Sequence, residues 1–241
     1  MVTTNGIRNI VGIIGNVLAI ALFVSPVRTF YQIWKKKDTE KFKADPYLAA
    51  LLNCALWIFY GLPFIHPNNL LVVTSNAAGF ALEAIFLIIY LCYANKKQRL
   101  KVVSVLIFEA VLVAAVATLV LILVHTHKRR TLIVGIVNLI VNSIMYASPL
   151  TIMRTVIKTK SVKYMPFYLS LTGFLCSLSW AAYAFLQIDL FILIPNGIGL
   201  VLGIAQLILY GCYYKTTNWD DDETQRPEVQ LPTSATLDKP T

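Results

Sequence analysis

Seven apolar stretches, at about 7–34, 46–65, 70–93, 100–124, 131–157, 166–186 and 189–214, constrain this chain more than any other feature. Each approaches or exceeds the roughly twenty residues that a helix needs to cross a hydrocarbon core of ~30 Å. Inside such a core every backbone N–H and C=O must be paired within the protein, which leaves helices and closed barrels. No stretch alternates as barrel strands do, and the connections are short and turn-rich, as at His66-Pro67-Asn68-Asn69. Only 14% of the 241 residues are charged, against roughly a quarter in soluble domains. The expectation is an all-α integral membrane protein with seven transmembrane helices and the lipid bilayer as its solvent.

The net charge of +9 does not indicate nucleic acid, because the basic residues lie in short loops between apolar runs, where they set orientation. Lys35, Lys36, Lys37, Lys41 and Lys43 follow the first run, Lys96, Lys97, Arg99 and Lys101 the third, and Arg154, Lys158, Lys160 and Lys163 the fifth. These three loops share one side, read as cytoplasmic, with Lys128-Arg129-Arg130 as the exception opposite. The N-terminus is then outside and the C-terminus cytoplasmic, in the plasma membrane, with a vacuolar or other endomembrane as the alternative. The start shows no basic region and cleavage site, so the first run reads as a retained helix. The polar, acidic segment 215–241 reads as a disordered cytoplasmic tail. Cys54, Cys92, Cys176 and Cys212 fall within or at the ends of apolar runs and read as free thiols. No metal-ligand spacing, cofactor motif or nucleophile–base pair appears, so neither a metal, a cofactor nor an enzyme is expected.

The chain also repeats itself. Shifted by 120, Pro46 meets Pro166, Asn76 meets Asn196, Gly79 meets Gly199, and Cys92-Tyr93 meets Cys212-Tyr213. Upstream the shift is 123, and Ser25-Pro26 meets Ser148-Pro149. Three crossings end on the opposite side, so a second copy in the same orientation needs one extra crossing. The unmatched fourth run supplies it. The layout is 3+1+3: two parallel three-helix bundles, 7–94 and 130–214, joined by a linker helix at 100–124. Internal repeats of this kind mark transporters, whose substrate sits at the repeat interface near the midplane.

Segments Ser25-Pro26-Val27-Arg28-Thr29-Phe30, Tyr60-Gly61-Leu62-Pro63, Met145-Tyr146-Ala147-Ser148-Pro149-Leu150, Tyr164-Met165-Pro166-Phe167 and Ile194-Pro195-Asn196-Gly197 carry a resemblance. From about residue 7 to 214 the chain resembles the plant SWEET (MtN3/saliva-type) sugar facilitators. The resemblance implies a bidirectional, energy-independent uniporter of sugars, working by alternating access, and a homo-oligomer, a trimer being one form. One departure stands out: Thr74-Ser75-Asn76-Ala77 replaces the family's usual Thr-Ile-Asn-Gly.

Asn76 and Asn196 are mid-run amides at equivalent positions, and an amide both donates and accepts, as vicinal hydroxyls require. Trp180, with Tyr60 as its counterpart at the 120 shift, offers a ring face to the apolar face of a sugar. The resemblance adds Trp57, Asn53, Asn142, Met145, Cys176, Ala19 and Leu22 to the pocket, and the bulk of Met145 points to a hexose such as glucose. Pro26 and Pro149 fall inside helices, where they remove a backbone bond and kink it. Pro46 and Pro166 open helices, and the four match the family's cytoplasmic gate. Tyr60 and Asp189 form the extracellular gate pair, or Asp189 simply caps a helix. Glu83 shares a face with Asn76 and raises proton coupling, though a buried structural hydrogen bond is the preferred reading. A PQ-loop-type amino-acid or proton-coupled transporter and a seven-helix receptor are the alternatives. Neither Pro26 nor Pro149 is followed by the glutamine of the PQ dipeptide, and receptors do not repeat after 120 residues.

Overall fold

The computed structural model describes residues 4–39 and 42–219. These form nine α-helices: α1 (Thr4–Val24), α2 (Val27–Lys36), α3 (Asp45–Gly61), α4 (Leu70–Tyr93), α5 (Lys96–Leu123), α6 (His127–Met145), α7 (Ala147–Thr159), α8 (Phe167–Phe185) and α9 (Leu190–Tyr213). The pairs α1–α2 and α6–α7 each make one broken crossing, so the nine helices give seven crossings. Six of these are long and apolar enough to span a bilayer by length and composition. The seventh, α3, has 17 residues.

The breaks have a stated cause. A proline lacks the N–H that would bond the carbonyl four residues back, and its ring clashes with that carbonyl. Pro26 thus frees the carbonyl of Leu22, which instead accepts from the Ser25 amide at 3.1 Å and the Ser25 hydroxyl at 2.7 Å. Pro149 frees the carbonyl of Met145, and α6 ends on that residue. Pro46 sits in the first turn of α3, where its missing N–H costs nothing. Pro166 lies one residue before α8, at its N-cap, rather than inside the helix.

The first bundle is α1/α2, α3 and α4; the second is α6/α7, α8 and α9. Between them α1 packs on α8 and α3 packs on α6. The linker α5 lies against α3, α4 and α6. It begins at Lys96, closed by a capping box of Asn95 and Gln98, so Lys96, Lys97, Arg99 and Lys101 belong to its first turns and not to a loop. Past α9, Thr216 donates to the Lys160 carbonyl at 2.7 Å, and Thr217 accepts from the Val162 amide at 2.9 Å. Ordered structure therefore runs beyond Lys215, where the sequence reading begins a disordered tail. Asp220-Asp221-Asp222-Glu223 and Lys41 lie outside the described residues.

Candidate functional site

Between the bundles lies a cavity of about 170 Å³, lined by Ala19, Phe23, Asn53, Trp57, Val72, Ser75, Asn76, Asn142, Tyr146, Trp180, Ile192, Pro195 and Asn196. Most of this wall comes in repeat-related pairs: Ala19 with Asn142, Phe23 with Tyr146, Val72 with Ile192, Ser75 with Pro195, and Asn76 with Asn196. The two central asparagines are held identically. Asn76 Nδ2 donates to the Val72 carbonyl at 2.8 Å, and Asn196 Nδ2 donates to the Ile192 carbonyl at 2.8 Å. Each amide spends one N–H on its own helix and keeps a second N–H and its Oδ1 for whatever enters. On one side the wall carries a second amide pair, where Asn142 Nδ2 donates to Asn53 Oδ1 at 3.1 Å and to the Asn138 carbonyl at 3.0 Å.

Seven of the ten residues named from the sequence line this cavity: Ala19, Asn53, Trp57, Asn76, Asn142, Trp180 and Asn196. Leu22, Met145 and Cys176 do not. Leu22 and Met145 are a repeat pair, each one residue before a lining residue, and one step along a helix turns a side chain by about 100°. Their neighbours Phe23 and Tyr146 hold the wall instead, while the carbonyls of Leu22 and Met145 are the ones the hinge prolines release. Cys176 is buried one turn before Trp180, with Sγ directed at the Gly15 carbonyl at 3.9 Å. Gly15 also makes room for Trp180, since a Cβ there would lie 3.1 Å from the indole.

The two tryptophans are arranged alike. Trp57 meets Tyr60 edge-on with centroids 5.3 Å apart, and Trp180 meets Tyr183 edge-on at 5.2 Å. Trp180 is thus matched by Trp57, not by Tyr60, and this Trp-x-x-Tyr unit recurs at 123 rather than 120. The reason is that α8 continues to Phe185 and the chain to α9 is shorter than the chain from α3 to α4.

Each tyrosine reaches across to the residue that precedes the last helix of the other bundle. Tyr60 donates to Asp189, 2.9 Å to Oδ1 and 3.1 Å to Oδ2, while Tyr183 donates to Asn69 Oδ1 at 3.1 Å. Asn69 and Asp189 are themselves repeat equivalents, joined by a long contact of 3.5 Å. Asp189 also caps α9, accepting from the Phe191 and Ile192 amides at 3.1 and 3.3 Å. The gate and capping readings are therefore compatible. Arg8 completes the closure: its guanidinium donates to Asn69 Oδ1 at 2.6 Å and the Asn68 carbonyl at 2.8 Å, and lies 3.9 Å over the Tyr183 ring. His66 stands 3.3 Å from Asp189 through Nε2 and 3.1 Å from Thr131 through Nδ1. Burial holds the His66 ring below its ordinary pKa; the Asp189 charge pulls it back up, and Arg8 pushes it down. Tyr60, Tyr183, Asn69, Arg8 and Asp189 are all buried.

Sequence reasoning missed Arg8, Asn69 and Tyr183. The signal available was the second Trp-x-x-Tyr and the Asn69–Asp189 equivalence. Glu83 is buried on α4, but its Oε2 has no hydrogen-bond partner among the described residues, against the structural bond preferred from the sequence.

Fold and site together define an integral membrane protein of two parallel repeats around a polar cavity, closed at one end by bonds between the repeats. A family model described as "Sugar efflux transporter for intercellular exchange" matches residues 9–98 and 132–218. The chain is similar to a bidirectional sugar transporter SWEET7b of Oryza sativa subsp. indica, 53% identical over all of this chain and 89% of that protein. It is also similar to a bidirectional sugar transporter SWEET4 of Arabidopsis thaliana, 55% identical over 92% of this chain and 88% of that one. Among solved structures it matches a eukaryotic SWEET transporter with a TM-score of 0.85 and 40% identity, over 88% of this chain and 99% of that one. The chain belongs to the SWEET (MtN3) family, whose members are sugar transporters and not enzymes.

Proposed function

We propose that this protein is a passive, bidirectional uniporter of hexoses such as glucose, working by alternating access. The observation that carries the reading is the Asn76–Asn196 pair, which places equivalent free amide groups from two helices on one cavity wall. Hydroxyls on a sugar ring both give and accept hydrogen bonds, and Trp57 and Trp180 offer faces for its apolar side. The size argument rests on the cavity rather than on Met145. About 170 Å³ is close to the roughly 150 Å³ that accommodates a single six-membered ring in an engineered protein cavity.

Alternating access is supported by a contrast between the two ends. At the Asp189 end the repeats are bonded to each other. At the proline end α2 packs on α4, and α7 on α9 and α6, so the segments beyond the hinge prolines are held within their own bundles. With the Asp189 end outside, as the lysine distribution implies, this is a carrier closed outward; Pro26, Pro46, Pro149 and Pro166 flank the inner gate. The plasma membrane and a homo-oligomer complete the reading.

Radiolabelled glucose and sucrose flux in cells lacking their own carriers, with and without a pH gradient, tests it. Glucose flux in both directions at rates independent of the gradient is expected. Flux that stops when the gradient collapses would replace facilitation by coupling and make Glu83 the first suspect.

A further inference from the structure

We propose that Tyr146 is a positioning residue that ties the hinge of the second repeat to Asn196, and that the first repeat has no such tie. The inference rests on the sugar-carrier reading above. Tyr146 is the single residue between α6 and α7, at the break caused by Pro149. Its hydroxyl donates to the carbonyl of Pro195 on α9. Both residues line the cavity, and the next residue is Asn196. Pro195 has no N–H, so α9 lacks the bond that would fix this turn to the Phe191 carbonyl. At this weakened turn the neighbouring helix supplies an external bond instead.

The repeat equivalents differ on every count. Phe23 replaces Tyr146 and has no hydroxyl; its ring lies over Gly79, where a Cβ would stand 2.5 Å from it. Ser75 replaces Pro195, and α4 contains no internal proline. Gly199, the counterpart of Gly79, meets Ser177 instead of the tyrosine. An apolar ring over a glycine slides when the hinge moves. A hydrogen bond to a backbone carbonyl pulls. Motion of α7 is therefore passed to the turn that carries Asn196, whereas motion of α2 leaves the turn of Asn76 in place. Substrate release is governed by the second repeat.

Tyr146→Phe removes the hydroxyl and keeps the ring. Hydrogen exchange of the sugar-free protein should quicken in the segment 192–199, by several-fold, and stay unchanged in the equivalent segment 72–79. Glucose binding, followed through the fluorescence of Trp57 and Trp180, should weaken about fivefold, the size of one net hydrogen bond. In an Asn196→Ser background the same change should leave binding nearly unaltered, because the residue acts through Asn196. Unchanged exchange at 192–199 would overturn the tie. So would faster exchange throughout the chain, or a fivefold loss that persists in Asn196→Ser. The exchange comparison needs no sugar, so a wild type that binds none would defeat the carrier reading while leaving the tie decided.

Discussion

The two ends of the molecule are built from the same repeat yet bonded in opposite ways. At the Asp189 end a set of polar contacts crosses between repeats: Tyr60 to Asp189, Tyr183 to Asn69, Arg8 over Tyr183, His66 to Thr131 and Arg130 to the Phe64 carbonyl. At the proline end they stay within a repeat or reach the linker. Lys37 donates to Tyr93 at 2.9 Å, Lys160 to Tyr213 at 3.2 Å, Thr39 bonds Gln98 at 3.0 Å, and Lys101 pairs with Asp45. Lys37 and Lys160 are repeat equivalents, and both take the left-handed conformation that ends their helices, at φ 57° and 53°. A carrier that opens one end at a time needs this difference: bonds across the axis hold an end shut, and bonds within a bundle let it move as a unit.

The comparison breaks most sharply at Asp189. Replacing it by alanine removes the helix cap, about 1 kcal/mol, and the charge-assisted bond from Tyr60, about 1.5–3 kcal/mol. It also removes the oxygen that faces Asn69 Nδ2 at 3.5 Å and His66 Nε2 at 3.3 Å. We expect this variant to show the largest fall in melting temperature and to lose most sugar flux, with Asp189→Asn milder.

Next come the two tyrosines, which sharpen the comparison within the closed end. Tyr60 bonds a carboxylate and Tyr183 an amide, so Tyr60→Phe should cost about 1.5–3 kcal/mol and Tyr183→Phe about 0.5–1.5. Equal losses measured by chemical or thermal denaturation would show that the two ties are energetically alike despite the charge.

A smaller effect concerns pH. The His66 ring lies in the loop 62–69 and faces Asp189, Arg8 and Tyr60, with its pKa lowered by burial. A histidine of ordinary pKa, about 6.5, takes its proton first in the unfolded chain. The stabilisation is thus complete above about pH 6.5 and declines as pH falls through the lowered folded value. The melting temperature should drop between pH 7.5 and 5.5 by more in the wild type than in His66→Asn. The smallest effects are expected at the other end, where Lys37→Ala and Lys160→Ala break exposed contacts within a repeat and should change stability by under about 1 kcal/mol.

The seven crossings were legible because apolar length is a local property of the chain, and the repeat supplied register for helices that have no sequence-adjacent partner. Asn76 and Asn196 were legible for the same reason. The second half of the closed end was not. Trp-x-x-Tyr recurs at 123 inside a stretch aligned at 120, so that alignment sets Tyr60 opposite Trp180 and leaves Tyr183 opposite Pro63. Arg8, one charge at the start of an apolar run, reads like an ordinary flanking residue. Leu22 and Met145 rest on the family resemblance alone, and in this structure the cavity is lined by their neighbours Phe23 and Tyr146. The role of Pro195 was hidden inside a motif quoted for its asparagine.

The central claim is that a sugar is held between two equivalent amides, and paired substitution tests it most directly. Tracer glucose flux should be measured for the wild type, Asn76→Ala and Asn196→Ala at matched surface expression. Loss of most flux in both variants, with melting temperatures close to wild type, is the result the account predicts. Full flux in either variant would contradict it.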